Sequence, residues 1–428
     1  MIINEILNRY INNENRSTGF SQYSTENIIN ILKHAGNPHE KIKTIHIAGT
    51  NGKGTTASII SGILSANGYK TGLYTSPHLL RINERIQIDG KCINDETLEK
   101  ILIYISETAE KNGISLTYFD VLTAAAFIFF DQENTDFSVI ECGLGGRLDT
   151  TNIITPMISV ITDISFDHEN ILGNTIELIT REKTGIIKNN IASVTSNTDT
   201  KIVNIIRNEC VRKNSELTLS SGRYSDISFT GDGIKFIYSG RNFKKESIYL
   251  KFSPESRIKN TALALTAIDL LSPESMLIDT KTAIESIGNF TLQGRFETGS
   301  TDPCIIFDVA HNMHSITELV KTLQLYFKNS EFRIFATFMK DKHPLELIKY
   351  LRLNLSEDIN YIKLNDERNY KPDDNHNMTV IHEDDIETVI KNISLEKINI
   401  FTGSFRLYNI YSKIISAGKD NEIKIRQE

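Results

Sequence analysis

The stretch Lys43-Thr44-Ile45-His46-Ile47-Ala48-Gly49-Thr50-Asn51-Gly52-Lys53-Gly54-Thr55-Thr56 decides how the rest of the chain is read. Residues 43–48 have the length and β-branched character of a strand. Glycines at 49, 52 and 54 break that run with a turn, and helical spacing then continues to Asn67. A strand, a Gly-rich turn and a helix in this order converge backbone amides and a helix N-terminus on an anion. The spacing is a variant of G-x-x-x-x-G-K-[ST]: Gly49 and Gly52 are three apart, and Gly54 separates Lys53 from Thr55 and Thr56. A lysine in the centre of such a turn has no packing role, so Lys53 reads as the cation for the outer phosphates, with Thr55 or Thr56 on the metal side.

Working outward, YKTGLYT at 69–75 reads as another strand and completes a βαβ unit. Helices are expected before it, one carrying Ile2, Ile3, Ile6, Leu7, Tyr10 and Ile11, the other starting at Ser24 as N-cap. Helical periodicity returns over 95–111 and 118–131, and FSVIEC and MISVITDIS read as further buried strands. Such alternation predicts a parallel sheet covered by helices on both faces. Between 223 and 252 the pattern changes to short alternating strands with turns at Gly231-Asp232-Gly233 and Ser239-Gly240, a small antiparallel insert. Helices over 257–271 and 280–287 precede GNFTLQGRFETGSTDP, the expected domain boundary, after which strands and helices alternate again. The expected fold is thus α/β in two domains. Residues 1–290 form a phosphate-loop ATPase-like domain with a mostly parallel sheet and the antiparallel insert, and residues 291–428 a smaller Rossmann-like α/β domain.

The composition excludes several classes. The 428 residues are 39% hydrophobic and 24% charged, ordinary for a globular protein. With a formal net charge of −7, no general positive field favours nucleic acid or an anionic membrane, so any anionic ligand must be held locally. Cys92, Cys142, Cys210 and Cys304 are scattered without a C-x-x-C pair, which fits a reducing cytoplasm better than a disulfide framework or a zinc site. The longest apolar stretch, Val121 to Phe130, is about half the ~20 residues needed to cross a bilayer and reads as a buried helix. Glu5 and Arg9 break the apolar positions of the N-terminal segment, which reads as a helix and not as a signal peptide.

Other polar clusters fall at expected strand ends, the edge where open α/β sheets bind ligands. Thr75-Ser76-Pro77-His78 offers a neutral hydroxyl suited to Mg²⁺. Glu141 precedes the flexible Gly143-Leu144-Gly145-Gly146-Arg147-Leu148-Asp149-Thr150 loop. In Asp167-His168-Glu169 the histidine suits a ligand, a base or a turn residue. Arg181 to Ile186, by its charges, reads as a solvated helix end. Asp308, His311 and Asn312 end a buried strand, and Arg295 lies at the boundary, where a guanidinium could reach a phosphate.

Taken together, GTNGKGTT, TSPHL, ECGLGGRLDTTN, DHENILG, REKTGI, QGRFE and FDVAHN, in this order and spacing, resemble the folylpolyglutamate synthase and dihydrofolate synthase family of muramyl-ligase-like enzymes. The resemblance implies ATP-dependent ligation of L-glutamate to a pterin-bearing carboxylate, dihydropteroate or a folate, through an acyl phosphate, with release of ADP and phosphate. It implies that Thr50, Asn51, Gly52, Lys53, Gly54 and Thr55 cradle the phosphates and that Ser76, Glu141 and His168 ligate Mg²⁺, two ions in all. Lys53, His168 and Lys183 are the implied catalytic residues, with Lys183 carbamylated. Asn260, Arg295, Asp308 and His311 match nucleotide contacts, Arg295 and Asp308 being brought to the first domain by closure. Thr117, Tyr118, Phe119 and Asp120, with Leu148, Asp149 and Thr150, match the substrate side. The implied enzyme is a cytoplasmic monomer acting on small molecules, with no nucleic-acid or membrane partner.

One departure stands out. Ahead of Gly36-Asn37-Pro38, family members commonly carry Gly-Leu followed closely by a basic residue, whereas Gly19-Phe20 here is followed by Ser21-Gln22-Tyr23-Ser24, with no cation until Lys33. A cell-wall ligase would share the ATP core but usually carries a further N-terminal domain, and about 42 residues precede the first strand here. A non-catalytic nucleotide-binding regulator would tolerate loss of Ser76, Glu141 or His168, all of which are present.

Overall fold

The computed structural model describes residues 2–14, 24–271, 276–372 and 378–419. The Gly19 to Tyr23 departure lies outside the described residues. The chain divides into two compact units, the first comprising Met1–Thr230, Ile234–Leu250 and Ser256–Phe290, the second Gly231–Gly233, Lys251–Glu255 and Thr291–Glu428.

The first unit is built on eight strands: β1 (Thr44–Ala48), β2 (Thr71–Tyr74), β3 (Ile86–Ile88), β4 (Lys91–Cys92), β5 (Phe137–Glu141), β6 (Ile158–Ile161), β7 (Ser193–Thr195) and β8 (Leu217–Leu219). Their order across the sheet is β4-β3-β2-β5-β1-β6-β7-β8. From β2 to β8 all neighbours run parallel, and β3 and β4 add an antiparallel edge. Every residue of β1, β5 and β6 is buried. Because successive side chains point to opposite faces, such strands require cover on both sides, which explains their uninterrupted Ile and Val content. Helix Tyr118–Gln132 supplies it on the face that carries Tyr74 and Ile140, together with helices Ile2–Glu14, Glu26–His34 and Asp95–Asn112. Val121 to Phe130 is buried along its whole length, so the apolar stretch is a central helix. Helix Lys53–Ala66 packs on β1, β2 and β5 and is itself covered by helices Ser256–Leu271 and Thr280–Gly288.

β9 (Tyr224–Thr230), β10 (Gly233–Tyr238) and β11 (Glu246–Lys251) make the three-stranded insert. Asp269, fully buried on helix Ser256–Leu271, organises its end: Oδ2 accepts from Arg223 Nη1 at 2.9 Å and from the Arg241 amide at 2.5 Å, and Oδ1 from the Asn242 amide at 2.6 Å.

The second unit contains a six-stranded sheet of order β12-β13-β17-β14-β15-β16. Its strands are β12 (Glu297–Thr301), β13 (Cys304–Asp308), β14 (Phe332–Ala336), β15 (Ile359–Lys363), β16 (Thr379–His382) and β17 (Ile398–Thr402). All pairs are parallel except β12 with β13. The boundary segment therefore holds a strand where its Gly and Thr content suggests only a loop. As an edge strand, β12 needs backbone pairing more than apolar alternation, and its side chains are mostly half-buried or exposed. The sheet positions Asp308 at the carboxyl end of β13.

Replacing Asp269 by Ala should leave Arg223 and two backbone amides without their acceptor, costing on the order of 3–5 kcal/mol. Urea denaturation should show a marked fall in midpoint, with Asp269→Asn intermediate; an unchanged midpoint for Asp269→Ala would mean the insert is held by other contacts.

Candidate active site

Four adjacent parallel strands, β2, β5, β1 and β6, deliver their carboxyl ends to one edge. Ser76 follows β2, Glu141 ends β5, the Gly49 to Thr56 loop follows β1, and Asp163 to His168 follow β6. The residues singled out at these strand ends thus lie along one edge of the sheet because the strand order interleaves β5 between β2 and β1.

The loop after β1 is held from outside. Thr50 and Asn51 donate their amides to the Asp163 carbonyl at 2.8 and 3.2 Å. Thr50 Oγ1 donates to the Ser165 carbonyl at 3.0 Å, and Asn51 Nδ2 to Ser165 Oγ at 3.0 Å. Lys53, the first residue of its helix, reaches back to the Thr50 carbonyl at 3.3 Å. Gly52 has φ +83°, and a Cβ there would collide with the Asn260 amide, so Asn260 of helix Ser256–Leu271 lies directly on the loop. Gly54 lies against the Glu141 carboxylate, 3.4 Å from where a Cβ would stand, and Thr55 is buried. Ser165 was not anticipated; its only sequence signal is its place after a buried strand.

Glu141 is buried, and its Oε2 accepts the Ser76 amide at 3.1 Å, so these two expected metal ligands meet. A buried carboxylate beside a hydroxyl residue at the loop is a hard-oxygen set that fits Mg²⁺. Among the described residues no three His, Cys, Asp or Glu side chains gather into a metal-binding group. His168, at φ +51°, is held separately by its neighbour: its amide donates to Asp167 Oδ1 at 2.9 Å, and its Nε2 lies 3.9 Å from Oδ2.

Lys183 overturns the solvated-face reading of 181–186. Its side chain is buried, and Nζ donates to the Gly49 carbonyl at 2.8 Å. Burial, and secondarily the Lys53 cation, bring its pKa down to about 7. Arg181 of that segment does face outward, and Glu182, half-buried, pairs with Arg147 at 2.8 Å.

The expected substrate-side residues also come together. Phe119 packs its ring on Gly143, closely enough that a Cβ there would overlap it, and lies 6.0 Å from the Tyr74 ring. Thr123 bridges Thr150 at 3.0 Å and the Tyr74 hydroxyl at 3.1 Å, while the Arg85 guanidinium sits 5.7 Å over the Tyr118 ring. Thr117, Tyr118, Phe119 and Leu148 are half-buried at this edge. Asp120 and Asp149, by contrast, are buried and engaged with backbone. Asp120 closes a capping box with Thr117, accepting its amide at 2.8 Å. Asp149 accepts the Leu144 amide at 2.8 Å, the Thr151 amide at 3.0 Å and Thr151 Oγ1 at 2.5 Å, which shapes the glycine loop. Burial pushes both carboxyl pKa values up.

A support missed in the sequence lies beneath. His46 on β1 is fully buried, with Nε2 2.9 Å from Thr151 Oγ1 and 3.1 Å from Cys142 Sγ. Burial, then Lys188, push its pKa down to about 3, so the ring is neutral. Since Thr151 gives its hydroxyl proton to Asp149, it accepts from His46, placing the imidazole proton on Nε2. A histidine alternating with isoleucines in a strand gives no sign of its partner.

In the second unit Arg295 and His311 flank one aromatic ring: the Arg295 guanidinium lies 5.5 Å over Phe405, and the His311 ring 6.0 Å from it. His311 Nδ1 is 2.8 Å from the Val309 carbonyl and so carries a proton. Asp308 accepts the Phe296 amide at 2.8 Å and the Ala310 amide at 2.8 Å.

Comparison with known proteins identifies the family. Residues 47–268 match the model of the Mur ligase middle domain. The dihydrofolate synthase/folylpolyglutamate synthase of Bacillus subtilis is 33% identical over 331 residues, 75% of this chain and 76% of that protein. The folylpolyglutamate synthase of Lacticaseibacillus casei is 31% identical, covering 74% of this chain and 75% of that one. Among solved structures, E. coli FolC in complex with DHPP and ADP superimposes with a TM-score of 0.84 at 27% identity, covering 97% of this chain and 98% of that chain. The fold, the phosphate loop and these relatives together establish that the chain belongs to the dihydrofolate synthase/folylpolyglutamate synthase family.

Proposed function

We propose that this protein uses ATP to ligate L-glutamate to a pterin-bearing carboxylate, both dihydropteroate and reduced folates serving as acceptors, with ADP and phosphate released. The observation that carries the reading is the convergence of a phosphate loop, a buried carboxylate and a buried lysine on the edge that also presents Tyr118, Phe119 and the glycine loop. The Bacillus subtilis relative is named for both activities, and the E. coli FolC structure holds DHPP and ADP together.

The chemistry follows from the groups present. A carboxylate oxygen is a poor leaving group, whereas phosphate on an acyl carbon leaves well, so phosphoryl transfer from ATP to the pterin acid precedes attack by the glutamate amine. Phosphoryl transfer is served chiefly by positioning and charge stabilisation. Lys53 and the amides of residues 52–55 hold the outer phosphates, with Asn260 fixing the loop from above and Arg295 and His311 assigned to the nucleotide. Glu141 and Ser76, with His168 as a further ligand, would hold Mg²⁺, which when bound neutralises charge on the phosphoryl group. Lys183 is poised for carbamylation. Carbon dioxide adds only to a neutral amine, and a lysine whose pKa lies near 7 is largely neutral at mildly alkaline pH. The resulting carbamate supplies the anionic oxygen that Ser76 and a neutral His168 do not.

Purified protein with ATP, Mg²⁺ and labelled glutamate should form product with dihydropteroate in one reaction and with tetrahydrofolate in another; failure with both would reject the ligase reading. Lys53→Ala should lower kcat by on the order of 10²–10³-fold, since the site loses a fixed cation in a water-poor environment. Wild-type turnover in that variant would reject the phosphate-loop role.

Lys183→Ala should lose activity and recover part of it in concentrated acetate or formate, which can occupy the vacated carboxylate position; rescue by an alkylamine would show that the positive charge mattered. The depressed pKa has a further consequence. Between about 7 and the ordinary lysine value of 10.5 the unfolded chain binds a proton that the native chain does not. In carbon-dioxide-free buffer, stability relative to a Lys183→Met variant should therefore rise by up to ~1.4 kcal/mol per pH unit across that window. A flat difference between the two denaturation series would show that Lys183 titrates normally.

A further inference from the structure

The Gln293-Gly294-Arg295-Phe296-Glu297 segment holds a second charged residue whose role neither the sequence pattern nor the proposed chemistry assigns. We propose that Glu297 is the positioning residue of Arg295, fixing the backbone turn that aims the guanidinium and tying that turn to the helix Tyr408–Lys419.

The turn needs such a device. Arg295 lies between Gly294, at φ +74°, and Phe296, at φ +47°. The left-handed conformation costs a non-glycine residue about 1–2 kcal/mol, so Phe296 adopts it only where surrounding contacts impose it. Two carboxylates impose it here, one on each side of the arginine. Glu297 Oε2 accepts the Gly294 amide at 2.7 Å, and Asp308 Oδ2 accepts the Phe296 amide at 2.8 Å. The Arg295 amide closes on the Leu292 carbonyl at 3.2 Å, and the Gly294 carbonyl accepts from the Val309 amide at 3.0 Å.

The other oxygen of Glu297 faces the final helix. Oε1 accepts from the Tyr408 hydroxyl at 3.1 Å and from the Tyr411 hydroxyl at 3.4 Å, and both tyrosines are buried. Burial, then the Glu297 charge, push the Tyr411 phenol pKa up, so it stays a donor. The same end of the chain sets the arginine side chain, because Phe405, three residues before Tyr408, lies under the guanidinium at 5.5 Å. One short segment, Phe405 to Tyr411, therefore fixes the backbone of Arg295 through Glu297 and its side chain through a cation–π contact. A long side chain pre-aimed in this way loses less freedom when an anion binds.

The inference rests on the reading of Arg295 as a nucleotide contact, and the experiment separates the two. In the full chain, KM for ATP, KM for glutamate and kcat are measured for Arg295→Ala, Glu297→Gln, Tyr408→Phe with Tyr411→Phe, and Arg295→Ala with Glu297→Gln. Glu297→Gln keeps the side-chain volume and one acceptor oxygen, and circular dichroism and melting temperature check that the second unit folds. The expected result is a rise in KM for ATP on the order of tenfold for Glu297→Gln, a smaller rise for the tyrosine pair, and an unchanged KM for glutamate. The combined variant should be no worse than Arg295→Ala alone. Multiplying effects in the combined variant, or equal changes in both KM values with a lowered melting temperature, would overturn the positioning role while leaving the nucleotide contact standing. An Arg295→Ala variant with wild-type KM for ATP and kcat would overturn the nucleotide reading itself, and the inference with it.

Discussion

The carbonyl oxygen of Gly49 receives a hydrogen bond from a buried lysine, and the geometry of the phosphate loop follows from that contact and its neighbours. A loop that must offer its amides to an incoming anion cannot use all of them internally. Its shape has to be imposed through carbonyls, side chains and the strand beside it. Lys183 takes the Gly49 carbonyl, the Asp163 carbonyl takes the first two amides, and Ser165 takes the Thr50 and Asn51 side chains. The amides nearer the start of helix Lys53–Ala66 then lie where a helix N-terminus attracts negative charge.

The same lysine shows why burial and chemistry are coupled at this edge. An ammonium removed from water with another cation nearby loses its proton readily, and a neutral amine is a nucleophile. The edge that carries Tyr118 and Phe119 is built on the opposite logic. Asp120 and Asp149 are also buried, but they spend their oxygens on backbone amides and a hydroxyl, so they shape the cap of helix Tyr118–Gln132 and the glycine loop. The letter in the chain does not say that a carboxylate serves as a brace; only its partners do.

Much of this was legible in the one-dimensional pattern. The β-branched run ending in Gly49-Thr50-Asn51-Gly52-Lys53-Gly54 specifies a strand, a turn and a helix because each local preference agrees with the next, and the ordered motifs specify the family. The strands of the parallel core are readable since burial on both faces leaves no polar alternation. β12 was not, because an edge strand needs little from its side chains.

Sequence by itself therefore determined the strand–loop–helix unit, the α/β alternation and the residue types available for chemistry. Tertiary structure alone decided which of them meet. Ser76 and Glu141 are 65 residues apart and are joined by the pairing of parallel strands, and Lys183 and Gly49 are 134 apart and are joined by the packing of helix Ile176–Thr184 beside the loop. It also decided protonation and role: whether a lysine in a charged segment is solvated or buried, whether a strand histidine is neutral, and whether a carboxylate is free to act. The physical reason is that local preference acts over a few residues, whereas desolvation and hydrogen-bond partnership depend on what distant parts of the chain bring to the same point.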